Sequence, residues 1–154
     1  MVMKIVVAID SFKGSLSSLE AGTAIKNGIH LADPSADIHI CPLADGGEGT
    51  LDALVQSLGG EKRSIQVTGP LGESVEAKYG ILSDQKTAIL ETASAAGLTL
   101  VPEEKRNPLH TTSFGIGEMI KDAISQGCRQ FIVGLGGSAT NDGGIGMLQA
   151  LGFE

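Results

Sequence analysis

Short runs of β-branched residues, each followed by a glycine-rich loop and then a helical pattern, constrain the fold of this chain more than any other feature. The runs lie at residues 4–9, 37–43 and 130–135. The first and third are continuous apolar runs, which are typical of strands buried on both faces of a parallel sheet. Ser17 and Glu20 match a capping box at the start of the helix that follows the first run. This alternation predicts an α/β fold: a Rossmann-like parallel sheet with helices on both faces.

The alternation of strand and helix is interrupted in the middle of the chain. Strand patterns at residues 64–68 and 74–82 are joined by a turn containing Gly-Pro, which indicates an antiparallel pair. We therefore expect residues 1–64 and 112–154 to form a Rossmann-like domain that is incomplete in this chain. Residues 65–111 are expected to form part of a second, smaller α/β domain.

Composition and charge exclude several classes of function. The 154 residues carry a formal net charge of -7 and include one Tyr, four Phe and no Trp. Because no basic stripe offsets this charge and aromatic side chains are scarce, we expect no nucleic-acid partner. No apolar stretch approaches about 20 residues and no signal-peptide pattern opens the chain, so we expect a cytoplasmic protein without a membrane span. In that reducing compartment Cys41 and Cys128 are predicted to be buried thiols.

Three glycine-rich loops share one position, after a predicted strand and before a predicted helix. They lie at residues 10–15, 45–50 and 134–146, and each contains an Asp. Ligands of open α/β sheets collect at the carboxyl ends of the strands, and exposed N–H groups there attract anions. Carboxylates at this edge can bind Mg²⁺ or accept a proton from a substrate hydroxyl. The alternative is that these are ordinary tight turns with capping Asp and Ser side chains.

Other nucleotide and metal motifs are absent. The chain has no Gly-x-x-x-x-Gly-Lys-Ser/Thr motif, and its three histidines are scattered without zinc-site spacing. The third loop contains Gly134, Gly136 and Gly137, but the rest of a dinucleotide fingerprint is missing. A dehydrogenase on a similar sheet therefore stays only as a poorly supported alternative.

Five segments resemble the motifs of the bacterial glycerate kinase family, in the family's order. They are DSFKGSL at residues 10–16, PLADGGEGT at 42–50, TGPLG at 68–72, KRNP at 105–108 and GLGGSATNDGG at 134–144. The resemblance implies an ATP- and Mg²⁺-dependent kinase that acts on D-glycerate, with two α/β domains around a cleft. Family members are more than twice as long as this chain, so we expect it to be a truncated N-terminal portion.

The resemblance and the needs of phosphoryl transfer together suggest roles for individual residues. Asp45 would accept the glycerate hydroxyl proton or hold Mg²⁺, and Asp142 is a second catalytic and metal candidate. Lys13 would neutralise phosphate oxygens, and Arg106 would bind the glycerate carboxylate through its guanidinium. Each has an alternative: a solvated loop lysine for Lys13, a solvated charge run for Arg106, and hydrogen bonds that brace the loop for Asp142.

The remaining candidates surround these residues. Substrate contacts are assigned to Asp10, Ser11 and Asn141, although Asp10 could instead only cap its turn. The loop positions assigned to nucleotide and phosphate binding are Gly46, Gly47, Gly136, Gly137, Ser138 and Thr140.

The partners expected from the resemblance are ATP and D-glycerate, with the 2- or 3-hydroxyl as acceptor left open. An exposed sheet edge would favour a homodimer. The alternative function is a catalytically inactive fragment, or a module that binds anions or nucleotides.

Overall fold

The computed structural model describes residues 2–12 and 15–154 of the chain. The chain divides into two compact units, residues 1–45 and residues 46–154. Each unit has its own sheet and its own helices.

The first unit is one strand–helix–strand repeat. Strands β1 (Lys4–Ile9) and β2 (Asp37–Pro42) are parallel neighbours, connected through helix α1 (Ser18–Ala32). The predicted capping box is confirmed, because Glu20 N–H donates to Ser17 Oγ at 3.2 Å and Ser17 N–H donates to Glu20 Oε2 at 2.8 Å.

Helix α1 covers one face of the two-stranded sheet. The buried side chains there are Val7, Ala36 and Ile38. Cys41 lies at a register position that points away from this core, and it is exposed. The expectation of two buried thiols is therefore wrong for Cys41 and confirmed for Cys128, which is fully buried in the second unit. Strand alternation explains the difference, since only one face of β2 is packed.

The second unit contains a four-stranded mixed sheet in the order β3-β4-β5-β6. The strands are β3 (Gly60–Thr68), β4 (Ser74–Leu82), β5 (Thr87–Glu91) and β6 (Gln130–Gly134). The first three are antiparallel, whereas β6 runs parallel to β5. Its α-helices are α2 (Thr50–Leu58), α3 (Thr92–Ala96), α4 (Phe114–Ser125) and α5 (Ile145–Leu151), and 3-10 turns lie at Leu98–Leu100, Glu103–Lys105 and Pro108–His110.

Strand β5 is buried on both faces, whereas Ile132 and Val133 of β6 are exposed, so the predicted burial of that strand on both faces is wrong. Leu90 belongs to the main core with Tyr79 and Met119, whereas its neighbour Ile89 packs on the opposite face with Leu51 of α2. The Tyr79 hydroxyl donates to Asp122 Oδ2 at 2.5 Å, which satisfies the polar end of a fully buried ring. The predicted α/β architecture with helices on both faces is confirmed for the described residues.

The predicted elements agree with the structure in kind, with differences at their ends. Strand β3 begins at Gly60, earlier than the residue 64 expected from the apolar pattern. The strand predicted at residues 130–135 pairs with Thr87–Glu91, which the sequence assigned to the smaller domain. The assignment of residues 1–64 and 112–154 to one domain stays a prediction.

Candidate active site

The first glycine-rich loop and the segment before the second follow neighbouring strands of the first unit. Ile9 ends β1, and its carbonyl accepts a 3.0 Å hydrogen bond from Leu43 N–H, just beyond β2. Asp10 and the segment leading to Asp45 therefore emerge from the same carboxyl edge, as expected for parallel strands. Both carboxylate residues are exposed.

Asp10 holds its own turn, because its Oδ1 accepts the Ser11 N–H at 2.7 Å. This contact matches the turn-capping alternative for Asp10. Lys13, the predicted phosphate ligand of the same loop, lies outside the described residues.

The second and third glycine-rich loops touch backbone to backbone in the second unit. Gly136 N–H donates to Gly46 O at 2.8 Å. A Cβ added at Gly136 would lie 2.5 Å from Gly47 Cα, and one added at Gly134 would lie 2.5 Å from Gly46 O. Only glycine permits this approach, so the structure brings together Gly46, Gly47 and Gly136, three of the predicted phosphate-binding positions.

A carboxylate that sequence reasoning missed holds the second loop at the start of α2. Glu91 ends β5, and its Oε1 accepts the Leu51 N–H at 2.6 Å; the Gly49 N–H donates to the same carboxylate. Burial raises the pKa of Glu91, and the nearby charges of Asp52 and Glu48 add to the increase. In the sequence, a glycine at the start of a predicted helix indicates that the first N–H groups need an acceptor from elsewhere. It does not show that this acceptor is Glu91.

Asp142 has a similar place in the third loop. Its Oδ2 accepts hydrogen bonds from Ser113 N–H and Ser113 Oγ, both at 2.8 Å, and from Gly146 N–H at 3.2 Å. Its Oδ1 accepts the Gly144 N–H at 3.0 Å. Burial alone would raise the pKa of Asp142, but the hydrogen bonds from Ser113, Gly144 and Gly146 together lower it.

Consecutive backbone N–H groups of the third loop stay available for a ligand. Within the described part of the chain, no acceptor meets the N–H groups of Thr140, Asn141, Asp142 and Gly143. Gly143 has φ of +63°, and the side chain of Asn141 is exposed. Consecutive amides without protein acceptors, next to a left-handed glycine, are a feature of backbone segments that bind anions.

A pocket of about 250 Å³ adjoins these amides. Its polar lining includes Arg106, Thr111, Ser138 and Thr140, and its apolar lining includes Leu98 and Val101. The Arg106 Nε–H donates to Val101 O at 3.3 Å, which fixes the side chain and leaves both terminal guanidinium nitrogens without a partner among the described residues. The structure thus brings Arg106, Ser138 and Thr140 to one pocket that can accept a small anion.

The part of the third loop that lines this pocket is held in place. Gly137 O accepts the Leu98 N–H at 2.9 Å, and Ala139 N–H donates to Ala96 O at 2.8 Å. Between them, the hydroxyl of Ser138 lies 2.6 Å from that of Thr92. The Ser138 hydroxyl is therefore oriented before any ligand arrives.

Comparison with known proteins shows which family the chain belongs to. The model of the glycerate kinase family matches residues 5–154. The chain belongs to this family. It is 56% identical over 152 residues to a glycerate kinase of Haemophilus influenzae and 55% identical over 152 residues to a glycerate 2-kinase of Escherichia coli, covering 99% of this chain and 40% of each relative.

A solved structure agrees with this membership. A crystal structure named for glycerate kinase 2 from Salmonella typhimurium LT2 superposes with a TM-score of 0.86 at 53% identity, over 99% of this chain and 41% of that one. The chain thus spans about 40% of the length of the curated relatives it matches.

The family implies a magnesium ion, which proteins usually hold through one or two carboxylates together with substrate phosphates and water. In residues 2–12 and 15–154, no group of three or more His, Cys, Asp or Glu side chains could hold a metal ion. Asp142 Oδ2 accepts three hydrogen bonds, whereas Oδ1 accepts one, and the metal role of Asp142 stays a prediction. The metal role of Asp45 stays a prediction.

No α-helix in the described portion of this family member is long and apolar enough to cross a membrane.

Proposed function

We propose that this chain contributes to an ATP-dependent kinase that transfers the γ-phosphoryl group of ATP to a hydroxyl of D-glycerate. The observation that carries the proposal is the unpaired guanidinium of Arg106 in one pocket with the hydroxyls of Ser138 and Thr140, beside the free amides of residues 140–143. The two sets of donors match the two anionic groups that such a kinase must hold, a carboxylate and a phosphate.

The pocket suits the smaller of these anions. Arg106 would bind the glycerate carboxylate through its two terminal nitrogens. Ser138 and Thr140, which are predicted to bind phosphate, line the same pocket. The apolar side chains of Leu98 and Val101 also line this pocket, and its volume of about 250 Å³ limits the size of the ligand. A small hydroxy acid is thereby favoured over a long or cationic substrate.

The third loop would take the phosphates. The N–H groups of residues 140–143 would donate to phosphate oxygens, with Gly46, Gly47, Gly136 and Gly137 giving the loops their close approach. Positioned donors of this kind stabilise the charge that spreads over the transferred group.

The first unit would supply the remaining groups. Asp45 would accept the proton of the attacking hydroxyl, Lys13 would neutralise phosphate charge, and Asp10 and Ser11 would contact substrate. Asn141, in the second unit, is a further candidate for substrate contact. Magnesium, when bound, would neutralise phosphate charge. A cytoplasmic location and a homodimer belong to the same proposal.

A coupled assay with ATP, Mg²⁺ and D-glycerate, run beside calorimetric titrations with each ligand, tests this function. Product formation supports the kinase. Binding of ATP or D-glycerate without product would instead favour the binding-module alternative, and no binding of either would favour an inactive fragment.

The Arg106 assignment has a matched control. Arg106→Ala should weaken D-glycerate binding at least about tenfold, because a charge-assisted bidentate contact is lost. Lys105→Ala removes a neighbouring positive charge that does not line the pocket, and it should leave the affinity nearly unchanged. Equal losses in the two variants would assign Arg106 to the solvated charge run.

A further inference from the structure

Helix α2 begins without a capping side chain of its own. Its N-cap is Gly49, with φ of +94° and no side-chain hydrogen bond to the helix. The first N–H groups of a helix need acceptors, and Ser, Thr, Asp or Asn at the N-cap usually supplies one. Here the Glu91 carboxylate does so across the fold, through the Leu51 and Gly49 N–H groups.

Both the backbone of Glu91 and the hydrogen-bond partner of its side chain are held in place. Its residue closes β5 opposite Gly134 of β6, so its backbone is fixed by the sheet. Its partner Leu51 is 5% exposed and packs with Leu82 and Ile89. The 2.6 Å contact between Glu91 and Leu51 therefore joins two rigid elements.

The loop in front of this cap is connected to the third loop. Gly46 N–H donates to Thr50 Oγ1 at 3.1 Å, one residue before Leu51. Gly46 O then accepts the Gly136 N–H at 2.8 Å. Hydrogen bonds thus run from the α2 N-terminus through Gly46 to the start of the third loop.

We propose that Glu91 is a positioning residue that fixes the second glycine-rich loop and, through Gly46, the third loop that donates to the phosphates. The link to phosphate rests on the proposed function. The link between the loops rests only on the contacts described above.

The same contacts argue against direct phosphate binding at Glu91. Two amides at the positive end of α2 already bind this carboxylate. The charges that face it from α2 and its preceding loop are those of Asp52 and Glu48, both negative, so an added phosphate would meet repulsion there.

The experiment uses the 154-residue chain with Glu91→Ala and Glu91→Gln, and Asp52→Asn as control. Asp52 is an exposed residue of the first turn of α2 and pairs with Lys62, so its variant removes the same charge without touching the Leu51 amide. Amide hydrogen exchange is measured by NMR, and ATP affinity is measured by calorimetry.

Glu91→Ala should accelerate exchange at Leu51, and also at Gly136, by about tenfold or more, the scale of a lost hydrogen bond to a charged group. Exchange at Met119 in the main core should stay unchanged, which separates loop release from global unfolding. Glu91→Gln keeps an acceptor oxygen and should restore most of the protection, and Asp52→Asn should resemble the wild type. ATP affinity should fall about tenfold only in Glu91→Ala.

Unchanged exchange at Gly136 in Glu91→Ala would overturn the coupling between the loops. Released amides with unchanged ATP affinity would overturn the positioning role while leaving the kinase proposal intact. Failure of the wild type to bind ATP would count against the proposed function alone, since exchange at Gly136 still decides the coupling.

Discussion

The second and third glycine-rich loops both lead into helices, and in both a carboxylate occupies the first helical amides. At α2 the carboxylate is Glu91, 40 residues away in the sequence, and it receives two amide donors. At α5 it is Asp142 of the loop itself, which receives three amides and one hydroxyl. These amides are therefore already used within the protein in both helices. The donors proposed for phosphate are those of the loop before α5.

The two carboxylates also show how burial and hydrogen-bond donors together set the sign of a pKa shift. Burial opposes ionisation of both groups. The four donors around Asp142 outweigh the effect of burial and lower its pKa. The donors around Glu91 do not outweigh burial, and the negative charges of Asp52 and Glu48 raise its pKa further. The third loop is thus held by a carboxylate whose ionised form the protein stabilises, and the second by one whose ionised form the protein disfavours.

The largest expected effect is from Asp142→Ala. The substitution leaves four donors without their charged acceptor, and the free energy of unfolding should fall by about 3 kcal/mol. Urea denaturation measures it. Asp52→Ala, which breaks only an exposed ion pair with Lys62, should cost less than about 1 kcal/mol. Similar losses in the two variants would show that Asp142 does not brace the loop.

The contact between the loops gives the next largest effect. Gly136→Ala would place a Cβ 2.5 Å from Gly47 Cα and 2.7 Å from Gly47 N, where only backbone can move. The free energy of unfolding should fall by about 2 kcal/mol. Gly28→Ala is the control, because nothing lies within 4 Å of its added Cβ in α1, and it should be neutral or stabilising by up to about 1 kcal/mol. A neutral Gly136→Ala would contradict the backbone contact.

The smallest effect is in the pH dependence of stability, where the two carboxylates should act with opposite sign. Asp142 has a lowered pKa, so its contribution is present above its ordinary pKa of 3.8 and is lost as pH falls through the folded-state value. Glu91 has a raised pKa, so stability is lost as pH rises from its ordinary value of 4.5 towards the folded-state value. The free energy of unfolding is measured from acid to neutral pH in Asp142→Asn and in Glu91→Gln. Each variant should lose the pH dependence that its own carboxylate contributes. If the two carboxylates changed the free energy of unfolding in the same direction as pH rises, their proposed opposite effects would be refuted.

Local sequence signals predicted most of the elements. The Ser17–Glu20 capping box and the strand at Ser74–Leu82 depend on neighbouring residues and could be inferred from them. The exposure of Cys41 could not, because it depends on which face of β2 is covered. The pairing of β6 with β5 likewise depends on the whole sheet.

The site was only partly predictable for the same reason. The positions of Arg106, Ser138 and Thr140 were proposed from the family resemblance, and the structure brings them to one pocket. The contacts of Glu91 with Leu51 and of Gly136 with Gly46 join residues far apart in the chain, and no local pattern encodes them. For Asp142 the bracing alternative matches the observed hydrogen bonds, and its catalytic role stays a prediction.

The most direct test of where phosphate binds is an NMR titration of the ¹⁵N-labelled chain with ATP, followed at the backbone amides. The N–H signals of residues 140–143 should shift progressively, whereas those of Leu51 and Gly146, already bonded to Glu91 and Asp142, should stay in place. Shifts centred on Leu51 and Gly146, with residues 140–143 unmoved, would contradict this account.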